Sequence, residues 1–124
     1  MSLEFLDCIE DILDAMEKAE TMILAVGFET FEEDYQRNFA VVRALEIVRE
    51  AIKRIPESLR KQYPEIPWKD MAGMRDRIIH GYDAVNLRIV WETVKSRIPQ
   101  IKPKIQQILD DFEVEDNKAD QQGL

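Results

Sequence analysis

The sequence predicts an all-α protein, an up-and-down bundle of four helices or five. Three observations lead there. Nearly every segment repeats its apolar residues with helical period. Glycine is rare, at four residues, and no alternating β-branched run appears. The connections between segments are short, as an up-and-down bundle requires.

The first helix is expected from about Leu3 to Val26. Phe5, Ile9, Ile12, Met16, Ala19 and Ile23 form one stripe, Leu6 and Leu13 widen it, and Gly27 stops it. A capping box at Thr30-Phe31-Glu32-Glu33 opens the second helix. Its stripe is Val41, Leu45, Val48, Ile52 and Ile55, flanked by Ala40, Ala44, Ile47 and Ala51, and Pro56 ends it. A short helix at Glu57–Gln62 and the Pro64/Pro67 pair make a bend. Pro67 then serves as the first-turn proline of a third helix. Pro67, Met71, Met74 and Ile78 face one way, and Gly81 closes that helix near His80. Asn86 is the expected N-cap of the last long segment, whose apolar face is Leu87, Val90, Trp91 and Val94. Pro99 and Pro103 kink or restart it, and Ile101, Ile105, Ile108, Leu109 and Phe112 carry the stripe on.

At 124 residues, 45% hydrophobic and 34% charged, the chain has the balance of one globular domain. That domain is expected over residues 1–113, with a disordered polar tail over 114–124. With no signal-peptide pattern and no run of 18 or more apolar residues, a cytoplasmic protein with no membrane contact is expected. The single Cys8 cannot form an internal disulfide and reads as a small buried side chain. The apolar stripes are wide for so small a protein, so part of that surface is expected against a second copy in a homodimer. The net charge of −8 argues against broad, non-specific nucleic-acid binding. It leaves room for a small cationic pocket, or for a site assembled from two subunits.

The chain's one histidine, His80, lies in the stretch Met74-Arg75-Asp76-Arg77-Ile78-Ile79-His80-Gly81-Tyr82. Histidine moves protons near neutral pH and arginine holds phosphates, so this is the evident place for acid–base chemistry. On an ideal helix Arg75 and Tyr82 share a face, whereas Arg75 and His80 are about 140° apart. The pair converges only if the helix ends near Ile79 and His80 swings round on the next turn, which Gly81 makes sterically easy. The residues alone also fit a structural reading, with His80 at a helix C-terminus, Arg75 paired to a carboxylate and Tyr82 packed in the core.

The pattern Arg75-x4-His80-x-Tyr82 resembles the R-x4-H-x-Y motif of HepT-like toxins in the HEPN superfamily. The following Asp83-Ala84-Val85-Asn86-Leu87 and Val90-Trp91, and the upstream Arg43-Ala44-Leu45-Glu46-Ile47 with Glu50-Ala51, are similar to that family too. The likeness covers about Phe5 to Phe112. It implies a HEPN-like bundle, homodimeric, with the motifs of both subunits near a shared cleft. It also implies a metal-independent endoribonuclease toxin that needs no cofactor and takes RNA rather than DNA. Its partner would be a MntA-type nucleotidyltransferase antitoxin. Arg75 would hold the phosphate, His80 would act as acid or base, and Tyr82 would accept AMP that silences the enzyme. Asp76 would orient Arg75 or His80, or stand as a solvated helix residue. The alternative is a non-catalytic HEPN module that works with a minimal nucleotidyltransferase to position its substrate.

The remaining features read as structural. One Cys and one His cannot build a zinc site within one chain. Glu46 and Glu50 read as a solvated face beside Arg43 and Arg49. Trp68 and Trp91 read as core or dimer anchors, and no glycine-rich phosphate loop is present.

Overall fold

The computed structural model describes residues 4–73, 79–80 and 84–122, the side chains of 79, 80, 84 and 114–122 excepted. It is an α-helical bundle whose frame is α1 (Phe5–Leu24), α3 (Tyr35–Lys53) and α7 (Ile98–Gln122). Between them lie α2 (Phe28–Glu33), α4 (Glu57–Gln62), α5 (Trp68–Ala72) and α6 (Leu87–Glu92). Two short strands, β1 (Ile79–His80) and β2 (Ala84–Val85), pair antiparallel, and a π-helix (Thr93–Arg97) joins α6 to α7.

The periodicity of the sequence is the periodicity of the core. All six residues of the α1 stripe are buried, and Cys8 and Ala15 join them. Val41, Leu45, Val48 and Ile52 bury the matching face of α3 against α1. Ile101, Ile105 and Ile108 bring α7 onto α1. Each such side chain gains about 1.5–3 kcal/mol by leaving water. The Phe5 and Phe112 rings meet edge to face at 5.1 Å, so the core extends to the far end of the expected domain. Lys102 and Glu20 add a half-buried ion pair at 2.9 Å between α7 and α1. Trp68 and Trp91 are both buried.

Several local expectations need correction. Gly27 does not cap the end of α1; it is the N-cap of α2, and its carbonyl accepts from Phe31 N–H at 3.0 Å. The helix predicted after Thr30 is broken at Asp34, and Asp34 rather than Thr30 supplies the cap. Its Oδ1 accepts from Arg37 N–H at 3.0 Å, which satisfies one of the unpaired donors at the start of α3. Arg37 also donates to the Met22 carbonyl, tying α3 to the end of α1. The buried Asn38 amide donates to the Phe31 carbonyl at 3.1 Å and to the Glu32 carbonyl at 3.3 Å, closing the end of α2.

The third helix does not reach His80. It spans Trp68–Ala72 and closes at Gly73, whose N–H bonds to the Lys69 carbonyl at 3.0 Å, while Ile79 and His80 lie in β1. Pro67 is the N-cap of α5 rather than a first-turn residue. The last segment is more continuous than its prolines suggest. The π-helix ends in a wide turn, in which Ile98 N–H bonds to the Thr93 carbonyl five residues back. Pro99 and Pro103 then sit within α7. The backbone of α7 also stays helical to Gln122, through the segment expected to be a disordered tail. Its Glu, Asp, Lys, Ala and Gln residues bear helix without difficulty.

Candidate functional site

The Arg75–Tyr82 stretch enters from α5 and leaves through β2 and α6. The entry is firmly seated. Met71 is buried, and the Trp68 indole N–H donates to the Tyr63 carbonyl at 3.0 Å. The exit is fixed by Asn86, whose side chain accepts from Ile89 N–H at 3.1 Å as the sequence predicts. Behind it, Phe28, Phe31 and Trp91 form an aromatic cluster, with centroids 5.9 Å apart for Phe28–Trp91 and 5.3 Å for Phe31–Trp91. Arg88 stacks on the Phe28 ring at 3.7 Å, so the first turn of α6 is locked to α2.

Of the predicted site residues, Arg75, Asp76 and Tyr82 lie outside the described residues, and His80 is described in its backbone alone. That backbone is informative. His80 pairs with Ala84, and Ile79 with Val85, so only residues 81–83 connect the two strands. The 140° separation computed for a continuous helix therefore does not apply at His80. At Ile79 and His80 the backbone is strand rather than helix.

Sequence reasoning did not find the pair that spans the entry and exit of this stretch. Arg97, on the π-helix, donates to Asp70 on α5, across 27 residues of chain. Both line a cavity of about 50 Å³ whose walls include Met16, Leu45 and Ile101. No local pattern in the sequence signals a contact over such a separation.

Arg43 lies 3.4 Å from Glu46 and 3.7 Å from Glu50, on the solvated face predicted for those carboxylates. Among the described residues, no group of three or more His, Cys, Asp or Glu side chains stands close enough to hold a metal ion. The shifted carboxyls are structural. The backbone N–H of Arg37 holds Asp34 below its ordinary range, and the Tyr63 hydroxyl, at 2.7 Å, does the same for Asp111. Cys8 is buried and unpaired in disulfide terms. Among the described residues no helix is long and apolar enough to cross a membrane.

With that frame in place, comparison with known proteins is specific. The family model described as "Ribonuclease HepT-like" matches residues 12–108. A protein of Thermococcus cleftensis named "Probable ribonuclease HepT" is 46% identical over 102 residues, 82% of this chain and 93% of its own length. A protein of Methanocaldococcus jannaschii carrying an RNase designation is 41% identical over 109 residues, 88% of this chain and 90% of its own. One of Caldanaerobacter subterraneus, also designated an RNase, is 41% identical over 101 residues, 82% of this chain and 90% of its own. No solved structure matches significantly.

Proposed function

The chain belongs to the HepT-like ribonuclease family, and from that premise we propose that it is a metal-independent endoribonuclease toxin, working in the cytoplasm and held in check by a MntA-type nucleotidyltransferase. The observation that carries the reading is the intact Arg75-x4-His80-x-Tyr82 spacing, inside a chain that matches the family from residue 12 to 108.

RNA supplies its own nucleophile. The 2′-hydroxyl attacks the adjacent phosphorus, a 2′-O–P bond forms and the P–O5′ bond breaks. His80 takes the 2′ proton as base or supplies one to the leaving 5′ oxygen as acid, a role that typically contributes about 10²- to 10⁴-fold. Arg75 holds the phosphate and stabilises the charge that develops on it. Asp76 orients one of the two. The products are a 2′,3′-cyclic phosphate and a 5′-hydroxyl. In a homodimer, two Arg75 and two Arg77 facing one cleft give a local positive patch on a chain of net charge −8.

Tyr82 is the proposed AMP acceptor. A nucleotide there sets a phosphate beside Arg75, where it competes with RNA by both charge and bulk. Two experiments test the proposal. An RNA with a single 2′-deoxynucleotide at the cut position should resist cleavage there, and cleavage at that position would refute 2′-hydroxyl attack. Co-expression with the nucleotidyltransferase should add AMP mass to the wild type and none to Tyr82→Phe. The same addition to Tyr82→Phe would move the acceptor elsewhere.

The net charge of −8 favours a second reading, a partner-binding module without nuclease activity of its own. An adaptor has no need of the Arg75/His80 pair, which is why we rank it second.

A further inference from the structure

The Arg75–Tyr82 stretch is held at each end by local bonds, the Trp68 indole bond before it and the Asn86 cap after it. A further bond joins the two ends to each other. Asp70 stands on α5, five residues before Arg75, and Arg97 stands on the π-helix, seventeen residues after His80. Their side chains form an ion pair. α5 packs on α3, whereas the π-helix packs on α1, α6 and α7. The pair therefore ties together two elements that different helices support.

We propose that Asp70 and Arg97 are positioning residues. Their ion pair clasps the base of the motif segment and so sets where Arg75 and His80 stand when they meet the scissile phosphate of RNA. The inference rests on the nuclease reading and deepens it. Two observations set this pair apart from an ordinary surface contact. The first is how its backbone is anchored. Met71 follows Asp70 and Ile98 follows Arg97; both are 1% exposed, and both line the cavity that the pair also lines, with Met16 and Val48. Each charge thus sits one residue from a core anchor, and close packing passes a change in the pair to α5 and the π-helix as whole elements. The second is the π turn. Ile98 N–H bonds to the Thr93 carbonyl five residues back, and the Thr93 hydroxyl donates to the Ile89 carbonyl at 2.7 Å. Such a turn takes in one more residue than an α turn, which redirects the side chains that leave it, and it is frequent at functional sites. Here the widened turn ends on the residue that reaches Asp70.

As a source of stability the pair is worth little. The Arg97 and Asp70 side chains are 48% and 37% exposed, and water screens a pair so placed. As a source of geometry it matters more. Cleavage depends on the distance and angle at which the acid or base and the cation meet the phosphate, and a misplacement of about 1 Å caused by a distant change can cost about 10²-fold in rate. The pairing of β1 with β2 fixes the hairpin that carries His80. The clasp fixes the separation of the elements that precede and follow that hairpin. A contact of small energetic weight and large geometric consequence predicts a loss of turnover without a loss of fold.

The chain's one histidine makes the test direct, because His80 gives the single imidazole signal of the untagged protein. Four proteins are compared: wild type, Asp70→Ala, Arg97→Ala, and the exchange variant that joins Asp70→Arg to Arg97→Asp. The readouts are the proton NMR signal of the His80 ring at one pH, kcat and KM for RNA cleavage in EDTA, and circular dichroism for folding. The single variants should stay folded, move the His80 signal, and lower kcat about 10- to 100-fold with KM within about twofold of wild type. The exchange variant rebuilds the clasp with its charges reversed and should return both readouts toward wild type. Single variants that leave the His80 signal and kcat unchanged would overturn the inference. So would losses that the exchange does not correct, which would give Asp70 or Arg97 a role of its own. A raised KM at unchanged kcat would make Arg97 a contact for RNA and overturn it too, and single variants that unfold would show a structural weight that the inference denies. A wild type that cuts no RNA would overturn the nuclease reading instead, and the His80 signal would then decide the clasp alone.

Discussion

Phe31→Ala removes a ring with no exposed surface from the junction of α2, α3 and α6. The Trp91 ring stands 5.3 Å away and the Phe28 ring 6.4 Å away, so the cavity left is walled by stiff side chains that collapse poorly. A buried Phe→Ala change costs about 3–5 kcal/mol, with the ring–ring contacts accounting for about 0.5–1.5 kcal/mol of it. That is a large share of a typical stability of about 5–15 kcal/mol. With an unfolding entropy of about 2.1 cal/mol/K per residue, the 124 residues of this chain give roughly 0.26 kcal/mol/K, and a 4 kcal/mol loss lowers Tm by about 15 °C. Urea titration followed by tryptophan fluorescence and by circular dichroism reads the change, as a lower midpoint at unchanged slope. Phe31→Leu should recover most of the loss. A Phe31→Ala variant within about 1 kcal/mol of wild type at unchanged slope would refute the idea that this cluster fixes α6, and with it the motif's exit.

Two further outcomes follow from named contacts. Asn86→Ala should cost about 1 kcal/mol, because Ile89 N–H loses its cap at 3.1 Å, while Asn86→Ser or Asn86→Asp should stay near wild type; equal losses in all three, by urea titration, would show that the cap is not the cause. Asp111 has its folded pKa lowered by the Tyr63 hydroxyl, so its contribution is fully present above the ordinary value of 3.8 and is lost as pH falls through the lower folded value. Thermal melts from about pH 6 down to pH 2 should therefore show a smaller acid-dependent loss in Tyr63→Phe than in wild type, and parallel curves would contradict the assignment.

What the sequence reveals of this fold is its local physics. The α1 and α3 stripes, the Glu57–Gln62 helix and the Asn86 cap are legible because periodicity and capping act within a few residues. Thr30 misled because Thr30-x-x-Glu33 has the form of a capping box, while the working cap four residues later depends on Asp34 and on the reach of Arg37 to Met22. Ile79–His80 was hidden because a two-residue strand has no period and because Met71, Met74 and Ile78 continue a helical one. The Asp70–Arg97 pair depends on how α5 and the π-helix come together, which no window of sequence encodes. The site followed the same division. Its residue types and spacing are visible in the chain, and the pairing of His80 with Ala84 is a fact of the fold.

The central claim is that His80 performs metal-independent cleavage of RNA. Purified wild type and His80→Ala, each incubated with end-labelled RNA in EDTA, test it most directly. Cleavage by the wild type that leaves cyclic phosphate ends, reduced about 10²-fold or more in His80→Ala, is the expected result. Equal cleavage by both, or none by a folded, unmodified wild type, would contradict it.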